Sequence, residues 1–196
     1  MSKETPNRDM GAVSVHKLYE AIDGDAFFLK EFDGKILVCV IDGEGHGRPA
    51  RDSSNALLKI LEKYFRSPLT ELLLRFHDEL KFSASRSRSR GAAVGICLIS
   101  QGRLVYCGIG NVEIKVFGED IKPFSRSGLI GSMMPEVKER VFDYKGEGIV
   151  VMFSDGISGK FTEEDIPLER PAQDIARFIV KEYGRPTDDR TVVVIK

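Results

Sequence analysis

The amino-acid sequence predicts an α+β domain built from two antiparallel β-sheets with helices on the outside. Three observations predict it. Apolar, β-branched runs separated by turn pairs follow one another in meander order, about nine in all. Stretches of helical periodicity interrupt them in two blocks, 50–80 and 172–183. No repeat of solenoid period and no linker divides the chain. At 196 residues it is long enough for one well-cored domain and marginal for two. Residues 11–196 are therefore expected to form a single domain behind a flexible tail over 1–10.

Taken in order, residues 12–20 alternate imperfectly and predict a strand, and Ile22-Asp23-Gly24-Asp25 predicts a turn. A strand over 26–32 and a strand over 36–41 flank Asp33-Gly34, a tight-hairpin pair. The run Ile36 to Ile41 is continuously apolar, as in a strand buried on both faces, and ends in Asp42-Gly43-Glu44-Gly45-His46-Gly47. Helices follow over 50–65 and, after Ser67-Pro68, over 69–80, with Leu69, Leu72, Leu73, Phe76 and Leu80 on one face. They are expected to pair and to cover one sheet. Ser83 to Arg90, an Arg/Ser repeat, reads as a solvated connection. Strands are then predicted at 92–99, 103–109, 112–116, 121–124, 137–144 and 149–153, with 125–135 irregular. The last strand, 191–195, comes after the helix 172–183 and its stop at Gly184.

Composition excludes several function classes. Net charge is −1, which opposes a dedicated nucleic-acid binder. Residues 48–90 carry ten Lys/Arg against five Asp/Glu, an excess read as a solvated helical face. No apolar run approaches a membrane span, and the N-terminus has no signal-peptide core. Cys39, Cys97 and Cys107 all lie in apolar runs, as expected of buried, reduced thiols in a cytoplasmic protein. His16 and His77 are read as structural.

The chemistry is expected at four aspartates. In an antiparallel hairpin the start of one strand lies beside the end of the next, so Asp25 should meet Asp42. Ile149 to Phe153 repeats the theme, an apolar strand ending in Ser154-Asp155-Gly156. If 190–195 pairs antiparallel with it, Asp155 meets Asp188 or Asp189, and all four carboxylates ring one end of the sheets. Such carboxylates resist ionisation unless cations neutralise them, and oxygen-only ligands select Mg²⁺ or Mn²⁺. Two such ions can bridge and activate a water for in-line attack on phosphorus.

The set Asp23-Gly24-Asp25, Val40 to Gly47, Phe153-Ser154-Asp155-Gly156 and Asp188 to Val194 resembles the metal-dependent protein phosphatases of type 2C. Within them it is most similar to the short bacterial SpoIIE/RsbU/RsbX branch. The Asp42-to-Gly47 rim and Arg90-Gly91-Ala92 carry the likeness to that branch. The resemblance implies a four-layer αββα sandwich with two Mn²⁺ or Mg²⁺ ions. It implies hydrolysis of phosphoserine or phosphothreonine by direct attack of a metal-bridged water, on phosphorylated STAS-domain proteins of the stressosome. Asp25, Asp42, the Gly43 carbonyl, Asp155 and Asp188 would be metal ligands. Many members read Asp-Gly-His-Gly, with the histidine proposed as general acid. Here Glu44 takes that position and the histidine is displaced to His46. Glu44, His46 or bulk water would protonate the leaving oxygen. A non-catalytic module of the same fold is the alternative, and no nucleic-acid or membrane partner is expected.

Overall fold

The computed structural model describes residues 8–19, 22–84 and 90–196. Strands β1 (Met10–Val15), β2 (Asp25–Phe32) and β3 (Lys35–Gly43) precede helices α1 (Arg48–Tyr64) and α2 (Leu69–Ala84). Strands β4 (Ala92–Ser100), β5 (Gly102–Ile109), β6 (Glu113–Phe117), β7 (Arg140–Tyr144) and β8 (Ile149–Phe153) follow, then α3 (Ala172–Tyr183) and β9 (Arg190–Ile195). They form a five-stranded sheet, β2-β3-β4-β5-β7, and a four-stranded sheet, β1-β9-β8-β6. Every pairing is antiparallel.

Alternation along the central strands builds four layers. Val38 and Val40 of β3 point to the inter-sheet core, where they join Cys97, Tyr106, Val150, Met152 and Val193. Leu37, Cys39 and Ile41 point the other way, against Leu57, Leu61, Leu72, Leu73 and Phe76 of α1 and α2. Val151, Phe153, Val192 and Val194 face Ile175, Ala176 and Ile179 of α3 in the third layer. Because both faces of β3 and β8 are covered, β3 is apolar from Ile36 to Ile41 and β8 throughout. Leu57 and Leu61 are fully buried, and truncating either to alanine costs about 2–5 kcal/mol.

The β2–β3 hairpin turns at Asp33 (φ 46°) and Gly34 (φ 69°), both left-handed as a type I′ turn requires. Its register sets Asp25 opposite Asp42. At the other sheet, Phe153 pairs with Val192, which brings the chain after β8 beside the chain before β9. Both expected pairings are present.

Three expectations at strand level are corrected. The first strand stops at Val15, because Lys17 and Leu18 turn their N–H groups to Asp189 Oδ1 (2.9 Å) and Pro186 O (3.0 Å). No strand forms over 121–124. Pro123 has no N–H for a ladder, and Ile121 N–H closes onto Glu119 O at 2.8 Å. The strand predicted from 137 begins only at Arg140.

Residues 1–7 of the expected tail and 85–89 of the Arg/Ser loop lie outside the described residues. Arg8 and Asp9 pack onto the body: Arg8 donates to the Tyr144 hydroxyl, and Asp9 accepts the Ala172 N–H at 2.7 Å. The three cysteines are buried free thiols. No helix among the described residues is long and apolar enough to cross a membrane.

Candidate metal centre

Each acidic residue of the centre sits where a strand enters or leaves the sandwich. Asp25 opens β2, and Asp42 and Gly43 close β3. Asp155 lies two residues past β8, and Asp188 two before β9. Gly43 is required by close approach, since a Cβ there would lie 2.4 Å from Ala50 O and 2.9 Å from Gly24 O. The first turn of α1 packs directly on the end of β3, and only glycine admits it.

The carboxylates divide into an inner and an outer set. The inner set is Asp23, Asp25 and Asp189, whose oxygens lie within 4.8 Å of one another. Asp189 accepts N–H bonds from Gly24 (2.7 Å) and Lys17 (2.9 Å), which ties the 17–24 loop to β9. Asp23 accepts from Asp25 N (2.9 Å) and Ser14 Oγ (2.7 Å). Asp25 is 3 % exposed, and Ser154 donates its hydroxyl to Asp25 Oδ2 at 2.6 Å while accepting Thr191 N–H at 3.0 Å. The outer set, Asp42, Asp155 and Asp188, lines an open cleft of about 510 Å³ together with Glu44, Asn111 and Leu129.

Electrostatics show what the cluster lacks. Burial, then the neighbouring Asp42 charge, pushes the Asp25 carboxyl well above the usual range. Burial and the charges of Asp155 and Asp188 push Asp42 up to about 7. Asp188 is raised by desolvation and by Asp155. Carboxylates held together in partial burial are short of positive charge. All the side-chain donors are oxygens, which suits hard divalent cations. The residues present therefore fit a pair of Mg²⁺ or Mn²⁺ ions.

The expected site residues fall in different places. Asp25, Asp42, Gly43, Asp155 and Asp188 come together at one end of both sheets. Asp188 turns into the cleft, whereas Asp189 is consumed by backbone donors. Glu44 lines the cleft, with its N–H on Gly91 O at 3.0 Å. His46 is exposed on the rim and does not line the cleft. His77 is structural in its contacts: its Nδ1 accepts the Gly131 N–H at 3.1 Å. Two residues escaped the sequence reading. Asn111 donates its amide to Asp155 Oδ2 at 2.6 Å. In sequence Gly110-Asn111 is an ordinary turn pair. Ser154 read as part of a motif with no role of its own, and only its burial beside Asp25 gives it one.

An αββα sandwich with this acidic end defines a metal-dependent serine/threonine phosphatase of type 2C. A model of the family described as Stage II sporulation protein E (SpoIIE) matches residues 33–196, and the chain belongs to that family. The phosphoserine phosphatase RsbX of Bacillus subtilis (strain 168) is 24% identical over 185 residues, covering 92% of this chain and 90% of RsbX. A crystal structure of RsbX in complex with magnesium is similar to this chain at a TM-score of 0.85, with 23% identity, covering 98% of this chain and 96% of that one. A chain solved under the description "The bacterial stressosome: a modular system that has been adapted to control secondary messenger signaling" gives 0.88, 24% identity, and covers 96% and 99%. The catalytic domain of the phosphatase PstP, solved with two manganese ions, gives 0.75, 14% identity, and covers 96% and 97%.

Proposed function

We propose that this chain hydrolyses phosphoserine and phosphothreonine on cytoplasmic stress-signalling proteins, the phosphorylated STAS-domain components of a stressosome. The observation that carries the reading is the convergence of four aspartates from separate strand ends, with Asp42, Asp155 and Asp188 lining one open cleft and Asp25 buried opposite Asp42. The likeness to RsbX and to a stressosome-related chain supports the substrate class.

Asp25, Asp42, the Gly43 carbonyl, Asp155 and Asp188 are the groups that would hold two cations. Those cations, when bound, supply the missing positive charge and lower the pKa of a water that attacks phosphorus directly. The protein's own residues prepare the geometry. The Ser154 hydroxyl fixes the Asp25 carboxylate from behind, and the Asn111 amide fixes Asp155 from the side. Glu44 lines the cleft and would give a proton to the departing serine or threonine oxygen. His46 shapes the mouth. The cleft is open to solvent, which suits a phosphoresidue carried on a folded protein.

Phosphate release from phosphorylated STAS-domain proteins, measured with Mn²⁺ and with EDTA, tests the reading. Mn²⁺-dependent release is expected. Undiminished release in EDTA would overturn the metal-dependent mechanism, and release from unrelated phosphoproteins at equal rates would overturn the substrate class.

A further inference from the structure

We propose that a second cleft beside the metal centre is a subsite for an apolar side chain flanking the phosphorylated residue in the substrate chain. The proposal rests on the phosphatase reading above and adds to it a specificity device.

The cleft has a volume of about 450 Å³, inside the range of roughly 300–1,000 Å³ typical of built ligand sites. It is continuous with the catalytic cleft, for Gly110, Asn111 and Asp155 line both. An extended chain with its phosphate at the carboxylates therefore has a direct path into it. Its lining is mixed: Ile114 and Ile157 are 7 % and 2 % exposed and Phe124 stands at the lip, 54 % exposed, while Asn111, Glu113 and Asp155 bring polar groups to the walls. At the junction lies Arg185. Its Nη1 donates to Asp155 O at 3.0 Å, which leaves a cationic fork beside the path of a substrate backbone.

The walls are formed in advance. Ser125 donates its hydroxyl to Val112 O at 2.6 Å and shares a 2.7 Å bond with the Tyr106 hydroxyl, so the 123–125 segment is pinned to the strand it faces. Phe124 is exposed yet held, since the Arg140 guanidinium lies 3.6 Å from its ring centroid. An exposed aromatic fixed from one side presents a ready apolar surface on the other. The missing strand over 121–124 acquires a reason here. A strand would carry the segment along a sheet edge, whereas the loop that replaces it bends Phe124 to the lip of the cleft.

The test compares kcat/KM in Mn²⁺ for N-acetyl-phosphoserine amide and for phosphoserine peptides carrying leucine or aspartate at the positions next to the phosphoserine. Wild-type protein is expected to favour a leucine-flanked peptide over its aspartate counterpart by about tenfold, as burying one apolar side chain allows. Phe124→Ala, at an exposed position that the core does not need, is expected to bring that ratio within about twofold. Phe124→Leu should keep most of it, since a second apolar group refills the lip. Equal kcat/KM for the leucine and aspartate peptides with wild-type protein overturns the proposal, and so does an unchanged ratio in Phe124→Ala. Either result leaves the phosphatase reading standing if the minimal amide is hydrolysed. No hydrolysis of the amide or of any peptide overturns that reading and this one together.

Discussion

Asp42→Asn should stabilise the metal-free protein while abolishing its response to metal. The Asp42 carboxyl has an ordinary value of 3.8 and is pushed up to about 7 by burial and by Asp155 and Asp188. Between those values the folded state keeps a proton that the unfolded chain has released. Stability therefore falls as pH rises through that window and levels off above about 7. The full shift corresponds to about 4 kcal/mol. Asp42 is only half-buried, so water in the open cleft screens part of this, and about 2 kcal/mol is the working figure. Asparagine keeps the shape and removes the charge. In EDTA, urea denaturation should show the variant close to wild type near pH 4 and about 2 kcal/mol more stable at pH 8. Saturating Mn²⁺ should reverse the order, because wild type gains about 2.7 kcal/mol at a hundredfold excess over Kd and the variant does not. A variant no more stable than wild type in EDTA at pH 8 would refute the electrostatic account of the cluster.

Three further outcomes are expected. Asn111→Ala, which removes the amide from Asp155, should weaken Mn²⁺ binding by about tenfold or more in calorimetric titration. Ser154→Ala leaves the buried Asp25 carboxylate and Thr191 N–H without this partner, and should cost about 2–3 kcal/mol in urea denaturation of the metal-free protein. Glu44→Gln should lower kcat by about a hundredfold, and His46→Ala by far less, in phosphate-release assays on a phosphoserine peptide; the opposite order would make His46 the proton donor.

Much of the fold was legible because it depends on short-range pattern. The apolar run of β3 announced burial on both faces, and Asp33-Gly34 announced its hairpin. Those two facts carried Asp25 to Asp42 without any knowledge of the second sheet. The strand over 121–124 failed for a reason of the same kind. Its alternation was genuine, with Ile121 and Pro123 buried and Lys122 and Phe124 exposed, but alternation alone does not supply a ladder partner.

The sequence by itself determined which residue types gather at the end of the sandwich. Each candidate ligand sits at a strand terminus, and antiparallel register propagates that placement across a sheet. Only the tertiary structure decided their roles. Asp188 and Asp189 are adjacent, yet Asp189 turns inward to the N–H groups of Lys17 and Gly24, 172 and 165 residues away, while Asp188 faces the cleft. Asn111 and Ser154 became part of the centre only when the chain packed Asp155 and Asp25 beside them. The same holds for the rim, where Glu44 lines the cleft and His46 stays outside it. The physical reason is that strand register is set by local pattern, whereas the direction of a loop side chain is set by whichever donors and charges the rest of the fold brings within reach.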